Sequence, residues 1–558
     1  MKKRNKVFIG LGGVAVFFIG LILLFNEMTL LNPPTITDRT IEQAKVIQVS
    51  DSLWTSTNSW LHKNTNGVWE LSIKGTPFEL GVENGKLTKK LAEKQEDAFF
   101  GFIKGIIPSN SVLHFLKYFI AWFNKDLDDY VPMAIRQEIY GISLYAPEKY
   151  HFIAPNYHRV LNYHAAHDIG HTVQNMNLIG CTAFGLKGDK TVDGHLLIGR
   201  NFDFSAGDAF ARDKLVTFCN PDNGYAFMYV SWAGMMGVLS GMNEYGLTVT
   251  LNSAKSAIPT SAKTPVCIVA RLILQHARNI KEAFDIVKQF DTFVSEMFFI
   301  GSASDRRCAV IDKSINETAL YEKPGDKVIL TNFFQSDKLK DTKLNLEAIN
   351  EGSSMYRYQR VEELLSAKTK FSVEDVSKVL RDKKGIGGCD IGLGNEKAVN
   401  QLICHHSIIF KPEDRLVWVS DYPYQIGAYK CYDLNAAFKD HATIKDIYKP
   451  EWNIKPDSFL YSKEFIEFKE YKSKCILYKN IVEDENCSVS ISNDEIEKFI
   501  ALNPSYYYTH YLAALLYKKR KDIGRAKTEL IKAMSLECPR LVDRKQVEEV
   551  YNQVCCDN

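Results

Sequence analysis

The character of the chain changes at residue 181, and this change restricts the folds that the chain can adopt. Residues 70–180 have a mainly helical pattern, whereas short β-rich runs follow, among them "CTAFGLKG", "HLLIGRNFDF", "YAFMYVSW" and "GLTVTLNS". Turn sequences such as "GDKTVDG" and "PDNG" separate these runs. Helical and strand-like blocks then alternate to about residue 438. This pattern predicts an α+β fold built in layers, and not a doubly wound parallel sheet.

The N-terminus contains an uncharged, apolar run at residues 7–25. A run of this length can cross the hydrocarbon core of a bilayer. Basic residues precede it, namely Lys2, Lys3, Arg4 and Lys6, and basic flanks stay in the cytoplasm. We predict a transmembrane signal anchor over residues 1–26, an extracytoplasmic (periplasmic) remainder, and a tether over residues 27–69. A cleaved signal peptide is the alternative.

The C-terminal segment, residues 439–558, has a helical pattern throughout most of its length. Small and apolar residues stand where a tetratricopeptide-like (TPR-like) helix pair needs them: Ala514, Tyr517, Ala526, Leu530 and Ala533. A single repeat cannot bury its own apolar face. We therefore predict either a module that binds a protein partner or a helical hairpin packed on the main domain.

The composition excludes several classes of function. The net charge is +2, from 69 basic and 67 acidic residues, which gives no electrostatic reason to predict a nucleic-acid partner. The 12 cysteines include no CxxC pair, so neither a zinc ribbon nor a disulfide scaffold is expected. No cofactor is predicted.

Gly180-Cys181 is the candidate reactive centre. Because Gly180 has no side chain, the Cys181 thiol can reach the preceding carbonyl. Attack there would form a thioester, and water would then release a chain that begins with Cys181. The new α-amine, with an ordinary pKa of about 7.7–8.0, can take the thiol proton, so that one residue supplies nucleophile and base. The structural alternative is a buried, inert cysteine.

The strand "GRNFDF" is predicted to return beside Cys181 as the second strand of a hairpin. It would bring Arg200 and Asp203 to the thiol, provided that the strand ends or bulges between them. A cation lowers the pKa of a thiol, and Asp203 could hold the new ammonium group. A purely structural ion pair is the alternative.

Three later residues complete the candidate set. Asn332 in "LTNFF" could donate an amide hydrogen to an oxyanion. Asn243 lies in a predicted turn in "MNEYGL", and Arg357 lies at the start of a helix in "SSMYRYQR". Turn capping by Asn332 and a salt bridge of Arg357 on the helix surface are the structural alternatives.

Together, "IGCTAF", "GRNFDF", "MNEYGL", "LTNFF" and "SSMYRYQR" resemble the penicillin (isopenicillin N) acyltransferase family of N-terminal nucleophile (Ntn) hydrolases. Choloylglycine hydrolases and acid ceramidase are more distant relatives. The resemblance covers about residues 70–438. It implies a four-layer αββα sandwich, with a helical part over residues 70–180 and a catalytic β part over residues 181–438.

The resemblance also implies roles for the candidate residues. The precursor would cleave itself between Gly180 and Cys181, and Cys181 would be the nucleophile. Arg200 and Asp203 would flank the nucleophile, and Asn332 would bind the oxyanion. Arg357 and Asn243 match further motif positions.

A metal site is the competing interpretation of the histidines. His164, His167 and His171 share one helix face with Asp168 close by, and Cys404, His405 and His406 are consecutive. Gly170 interrupts the first group, and adjacent strand residues point to opposite faces in the second. We therefore predict no metal.

Three hypotheses follow for function. The first is a self-processing cysteine amidohydrolase or acyltransferase that acts on linear non-peptide C–N bonds through an acyl-thioester. The second is an ester hydrolase of phospholipase B-like type on the same fold, and the third is a non-catalytic membrane scaffold. Apolar residues near the motifs favour an acyl substrate: Phe202, Phe204, Met235 and Met236. Because all motifs lie before residue 439, we expect chain cleavage to be independent of the C-terminal extension.

Overall fold

The computed structural model describes residues 20–21, 23–172, 180–439, 444–484, 487, 489 and 491–556. Most of the predicted signal anchor at residues 1–26 therefore lies outside the described residues. Among the described residues, no single helix is long and apolar enough to cross a membrane. The helices Pro77–Ile106 and Asn110–Phe123 meet that test only as a pair, and they are bent by 114°.

The strands of the described residues form two sheets. The strands are β1 Ile47–Ser50, β2 Leu53–Ser56, β3 Ser59–Lys63, β4 Trp69–Gly75, β5 Thr182–Leu186, β6 Leu197–Asp203, β7 Leu215–Pro221, β8 Phe227–Ser231, β9 Ser240–Asn243, β10 Leu247–Ser253, β11 Glu296–Ser302, β12 Arg307–Lys313, β13 Thr318–Tyr321, β14 Lys327–Leu330, β15 Cys404–Lys411, β16 Leu416–Ser420 and β17 Tyr429–Asp433. An 11-stranded sheet has the order β1-β2-β3-β4-β7-β8-β9-β10-β11-β12-β13. A six-stranded sheet has the order β14-β5-β6-β15-β16-β17. Neighbouring strands are antiparallel except β4 and β7, which are parallel.

Helices cover both sheets and form the C-terminal region. They are α1 Pro77–Ile106, α2 Asn110–Phe123, α3 Met133–Ser143, α4 Asn156–Thr172, α5 Asp208–Arg212, α6 Val266–His276, α7 Ile280–Gln289, α8 Lys343–Glu351, α9 Ser354–Ser366, α10 Val373–Leu380, α11 Leu434–Ala437, α12 Lys463–Glu483, α13 Asn493–Leu502, α14 Tyr507–Lys519, α15 Ile523–Ser535 and α16 Leu541–Cys556. Thr76 and Glu79 form a capping box at the start of α1, with Pro77 in its first turn.

Three apolar cores define four layers. One core lies between the sheets and joins, for example, Ile198 and Phe410 of the small sheet to Val216 and Met228 of the large sheet. A second core lies between the large sheet and helices α1, α3, α4, α6 and α7. A third lies between the small sheet and helices α9 and α10. This is the αββα arrangement that the resemblance implies, within the predicted α+β class.

The segment predicted as a tether, residues 27–69, has a different structure. It contains β1, β2 and β3, which extend the edge of the large sheet. A two-residue turn at Thr57-Asn58 joins β2 to β3, since Ser56 pairs with Ser59. The interpretation as a tether missed the strands because Trp54 and Trp60 stand in short runs rich in serine and threonine.

The C-terminal helices share a core with the catalytic part. Leu402, Cys404, Tyr424 and Ile426 belong to the same buried cluster as side chains of α12 to α16. The alternative that the extension packs on the main domain is therefore confirmed. The apolar faces of the extension are buried partly by residues upstream of position 439. This shared core argues against the expectation that chain cleavage is independent of the extension, which only a truncated chain can test.

Candidate active site

Cys181 lies one residue before β5, at the end of the small sheet where β6 finishes. β5 and β6 pair with Thr182 opposite Asn201 and Ala183 opposite Arg200. Arg200 extends from β6 so that its Nη2 donates to the Cys181 Sγ at 3.5 Å. Both residues have no exposed surface. The hairpin predicted from "CTAFGLKG" and "GRNFDF" therefore brings Arg200 to the thiol.

The Arg200 guanidinium is held by groups from three strands. Nη1 donates to Ser240 Oγ at 2.7 Å, and Nη2 also donates to the Leu251 carbonyl. His406 Nε2 lies 3.3 Å from Nη1. The Phe202 ring lies under the guanidinium at 4.5 Å, a favourable cation–π distance. The direction of the cation towards Cys181 is therefore fixed by the fold.

Asp203 lies beside the scissile position through the backbone. The Gly180 N–H donates to the Asp203 carbonyl at 3.0 Å. The register of β15 against β6 shifts between Cys404 and His406, and this bulge is the irregularity that the use of both Arg200 and Asp203 requires. Within the described residues, neither carboxylate oxygen of Asp203 has a hydrogen-bond partner, although the side chain is fully buried.

Burial controls the protonation of both groups. Burial raises the pKa of the Cys181 thiol to about 11, against an opposing effect of Arg200. The expectation that the cation lowers this pKa below its ordinary value is therefore wrong for the intact chain. Burial also raises the pKa of Asp203 to about 7, although Arg357 and Arg200 both act to lower it. The intact chain thus holds a neutral thiol near a carboxyl group that can exchange a proton close to neutrality.

Arg357 and Asn332 are linked to Thr182, the residue after Cys181. Arg357 Nε donates to Thr182 Oγ1 at 3.3 Å, and its Nη2 donates to Asn332 Oδ1 at 2.7 Å. Asn332 Nδ2 donates to the carbonyl and the hydroxyl of Ser253, at 2.9 and 3.1 Å. Asn332 is therefore connected to the residue after the nucleophile, but its amide hydrogens are used by Ser253 in the intact chain.

Asn243 is a turn residue. Its Nδ2 donates to the carbonyls of Leu274 and Ala277 at 2.9 and 2.7 Å. Its Oδ1 accepts from the backbone N–H groups of Tyr245 and Leu247. These bonds use both amide hydrogens and fix the β9–β10 turn to the end of α6.

Two buried amides near Cys181 were missed by the sequence analysis. Asn252 follows Leu251 on β10, and its Nδ2 donates to the Thr331 carbonyl at 3.0 Å, next to Asn332. Gln401 Nε2 donates to the Gly180 carbonyl at 2.8 Å. Asn252 lies in the strand-like run "GLTVTLNS", where it continues the strand that begins in "NEYGL". Gln401 lies in an irregular loop, and no local pattern identifies it.

The histidines form structural hydrogen bonds. His164 Nδ1 bonds to the Val160 carbonyl at 2.8 Å, and its Nε2 accepts from Met236 N–H at 3.1 Å. Burial lowers the pKa of His164 to about 4. Both nitrogens of His406 also have polar neighbours, since Nδ1 lies 3.0 Å from His405 Nδ1 and Nε2 lies 2.9 Å from Ser240 Oγ. Neither His164 nor His406 therefore has a free nitrogen for a metal. The side chains of His167 and His171 lie outside the described residues.

An apolar cleft opens on the side of the site where Phe202 packs against Arg200. It lies between helices α1, α3 and α4 and the loop after β8. Its lining includes Phe204, Phe210, Trp232 and Met235. The Phe204 ring stacks on Phe202 at 5.7 Å, and Phe202 contacts Arg200. A continuous aromatic path therefore connects the cleft to the arginine that contacts Cys181.

Comparison with known protein families is informative over this region. Residues 190–420 match the family model described as acyl-coenzyme A:6-aminopenicillanic acid acyl-transferase. This confirms the resemblance to the penicillin acyltransferase family. The matched range contains Arg200, Asp203, Asn332 and Arg357, and it begins after Cys181.

Individual relatives are distant. An uncharacterized protein of Archaeoglobus fulgidus is 25% identical over 274 residues, which are 46% of this chain and 45% of the relative. Protein dcd1A of Dictyostelium discoideum is 20% identical over 278 residues, which are 45% of this chain and 60% of that protein. The matched part of the chain thus spans about half the length of these curated relatives.

Two solved structures align with part of the chain. The Caenorhabditis elegans ortholog of N-acylethanolamine-hydrolyzing acid amidase has a TM-score of 0.30 and 17% identity, and the alignment covers 42% of this chain and 93% of that one. A mutant conjugated bile acid hydrolase from Clostridium perfringens has a TM-score of 0.31 and 14% identity, with 46% and 92% covered. At these TM-scores the likeness carries no argument about the activity of this chain.

Proposed function

We propose that the protein is a self-processing cysteine hydrolase or acyltransferase of the Ntn type. It cleaves its own chain between Gly180 and Cys181, and Cys181 then attacks linear amide bonds through an acyl-thioester. The observation that carries this proposal is the contact of Arg200 with the Cys181 thiol at the position where Asp203 holds the Gly180 N–H. The matched family, whose name describes an acyl transfer to an amine, supports the same chemistry.

Asp203 is the group that we assign to proton transfer in the intact chain. The Cys181 thiol is neutral there, so its proton must leave as the sulfur attacks. The Asp203 carboxylate, with a pKa raised by burial to about 7, is ionised in part of the molecules at neutral pH. It can take this proton and return it to the Cys181 nitrogen when the C–N bond breaks.

The same carboxylate has a second role after cleavage. The new α-amine of Cys181 forms where the Gly180 peptide was, next to Asp203. The two carboxylate oxygens, which have no hydrogen-bond partner among the described residues, can then bind the ammonium group. In its neutral form the α-amine accepts the thiol proton during turnover, and Arg200 stabilises the thiolate.

The apolar cleft favours a substrate with an acyl chain. Its lining is mostly aromatic and aliphatic, and it leads towards Phe202 and Arg200. An apolar chain is the chemistry that such a lining binds. Amide and ester substrates both fit this description, because a thiolate with an α-amine base can open either bond. An ester hydrolase therefore remains the second candidate function.

Loss of the thiol tests self-processing. Wild type should yield two fragments, residues 1–180 and 181–558, and Edman sequencing of the second should read Cys-Thr-Ala-Phe-Gly. Cys181→Ala should give one uncut, inactive chain. Cys181→Ser should process slowly or not at all, because a hydroxyl is the poorer nucleophile.

Cys219→Ala is the matched control. Cys219 is also a buried thiol that accepts from an arginine, Arg271 Nη2, at 3.6 Å. Its loss should leave cleavage intact. Active wild-type enzyme that remains a single uncut chain would disprove the mechanism. Acyl-amides and acyl-esters of graded chain length then separate the two candidate functions.

We also propose that the protein is anchored in a membrane with its catalytic part outside the cytoplasm. This proposal rests on the apolar run at residues 7–25 and the basic residues that precede it. Exposed apolar side chains on α2, such as Phe115 (71% exposed) and Phe119 (58%), support a membrane-facing position. Phe25 stacks on Trp122 of the same helix at 6.2 Å. Protease added to intact spheroplasts should digest the catalytic part, and full protection would reverse this assignment.

A further inference from the structure

We propose that Gln401 is a catalytic residue of chain cleavage, where it stabilises the negative charge on the Gly180 oxygen. This inference rests on the proposed self-processing and goes beyond it, because it assigns a group to the electrophilic side of the bond. Gln401 Nε2 donates to the Gly180 carbonyl at 2.8 Å. The side chain is 2% exposed, so water does not compete for this bond.

The fit between Gly180 and Gln401 is close. A Cβ atom added at position 180 would lie 2.8 Å from Gln401 Nε2 and 3.0 Å from its Oε1. A side chain at position 180 would therefore displace the amide from the carbonyl. Glycine before the nucleophile thus serves two purposes: the thiol reaches the carbonyl, and the Gln401 amide reaches the oxygen.

The chemistry of the step requires such a donor. The Cys181 Sγ attacks the Gly180 carbonyl carbon, a C–S bond forms, and the carbonyl electron pair moves to the oxygen. The Gln401 N–H bond to that oxygen strengthens as the charge develops. When the oxyanion collapses, the C–N bond breaks and the thiol proton ends on the Cys181 nitrogen. Water then hydrolyses the thioester, which releases the Gly180 carboxylate and restores the thiol.

The backbone around Gln401 is held in an unusual conformation. Leu402, the next residue, has φ of +55° and is fully buried. Its N–H donates to Asn400 Oδ1 at 3.0 Å, and the Asn400 N–H donates to the Asp382 carbonyl at 2.8 Å. A left-handed conformation is strained for leucine, and surrounding structure must hold it. The backbone on both sides of Gln401 is therefore fixed by hydrogen bonds and burial.

The C-terminal helices supply that surrounding structure. Leu402 lies in the core that these helices form. Leu393 lies upstream of Gln401 in the same loop, and its backbone bonds twice to Asn503 of the C-terminal region. Asn503 Nδ2 donates to the Leu393 carbonyl at 2.9 Å, and Asn503 Oδ1 accepts from the Leu393 N–H at 3.1 Å. Asn395 Nδ2 donates to the Glu537 carbonyl at 2.9 Å. The loop that presents Gln401 is thus fixed between the scissile peptide and the C-terminal region.

Substitution of Gln401 tests the inference in the full-length chain. Gln401→Ala should slow chain cleavage about a hundredfold, as expected for loss of one oxyanion donor. Gln401→Glu keeps the shape but replaces the donor with a carboxylate that repels the oxyanion, so it should be slower still. Gly180→Ala should also slow cleavage, since it displaces the amide. Cleavage is followed by gel electrophoresis after synthesis, with thermal unfolding measured on each chain.

The controls separate chemistry from folding. Gln275→Ala is the matched control. Gln275 Nε2 also donates to a backbone carbonyl, that of Asn223 at 2.6 Å, but away from the site, so the Gln275→Ala chain should cleave at the wild-type rate. Adding Gly180→Ala to Gln401→Ala should slow cleavage by less than Gly180→Ala does alone, because the displaced amide is already absent. Folded Gln401→Ala and Gln401→Glu chains that cleave at the wild-type rate would overturn the inference. Failure of the wild type to cleave would instead overturn the proposed function.

Discussion

The Gly180 peptide is held from two sides that differ in kind. On one side, the Gly180 N–H bonds to Asp203 on β6, a strand paired with both β5 and β15. On the other side, the Gly180 carbonyl bonds to Gln401, in a loop without regular structure. The first, the strand side, depends on sheet pairing among residues 182–203 and 404–411. The second, the loop side, depends on helices that begin more than 60 residues after Gln401 in the chain.

The difference shows how catalytic groups are distributed between local and distant structure. A hairpin fixes Cys181 and Arg200 relative to each other with few residues, because antiparallel pairing sets their register. A loop has no such register and takes its shape from whatever packs on it. The C-terminal region therefore acts on the site through the loop, although it contributes no side chain that contacts Cys181 among the described residues.

Removal of the C-terminal helices should have the largest effect on chain cleavage, because it removes the support of the loop side and leaves the strand side intact. A chain that ends at residue 438 leaves Leu402 and Cys404 without their buried partners. We expect loss of chain cleavage and of most soluble protein. Deletion of β1 to β3, which lie at an edge of the large sheet, should leave cleavage measurable. A soluble chain ending at residue 438 that cleaves at the wild-type rate would show that the loop needs no support.

A single substitution can disturb the contact between the loop that carries Gln401 and the C-terminal helices. Gly392 has φ of +79°, and a Cβ there would lie 2.4 Å from the Tyr506 Cβ and 2.5 Å from its backbone nitrogen. Gly392→Ala should therefore push the loop away from α14, slow cleavage several-fold and lower the Tm. Overpacking of this kind typically costs about 1–3 kcal/mol.

Gly388→Ala is the matched control for that substitution. Gly388 lies in the same loop with φ of +75°, but no described atom comes within 4 Å of the position of its Cβ. It should show only the cost of the left-handed conformation, about 1–2 kcal/mol. Equal cleavage rates for the two variants would show that contact with Tyr506 does not affect the site.

The sequence predicts the strand side of the site and not the loop side. The hairpin, the layered α+β class and the placement of Arg200 and Asp203 near Cys181 follow from alternating apolar residues and turn sequences. Tertiary contacts decide the role of Asn243, since both hydrogens of its amide bond to carbonyls at the end of α6.

Gln401 could not have been predicted, for a physical reason. Its position depends on the left-handed Leu402 and on contacts from α13 to α16, and none of these leaves a periodic pattern near residue 401. The protonation state of the Cys181 thiol could not be predicted from the sequence either. A cation next to a thiol suggests a lowered pKa, but the complete burial of Cys181 outweighs Arg200. Only the three-dimensional structure shows which of these opposing effects is larger.

Asp203 gives the smallest and most specific prediction, a change in how stability depends on pH. Burial raises its pKa to about 7 in the intact folded chain, whereas an unfolded aspartate titrates near 3.9. Between about pH 4 and pH 7, the folded chain keeps a proton that the unfolded chain has released. The free energy of unfolding must therefore fall as pH rises through this range. Asparagine cannot titrate, so Asp203→Asn should remove this part of the pH dependence.

The measurement uses the Cys181→Ala background, in which the chain stays intact. Relative to that parent, the Asp203→Asn chain should gain a few degrees in Tm at pH 8, and the gain should disappear towards pH 4. The low-pH end is the internal control, because both chains are neutral at residue 203 there. A difference in Tm that stays constant with pH would mean that Asp203 is already ionised in the intact fold. With an unshifted pKa near 3.9, Asp203 would be too weak a base for the Cys181 thiol, so proton transfer would need a stronger acceptor, and the strand side of the site would hold a fixed negative charge.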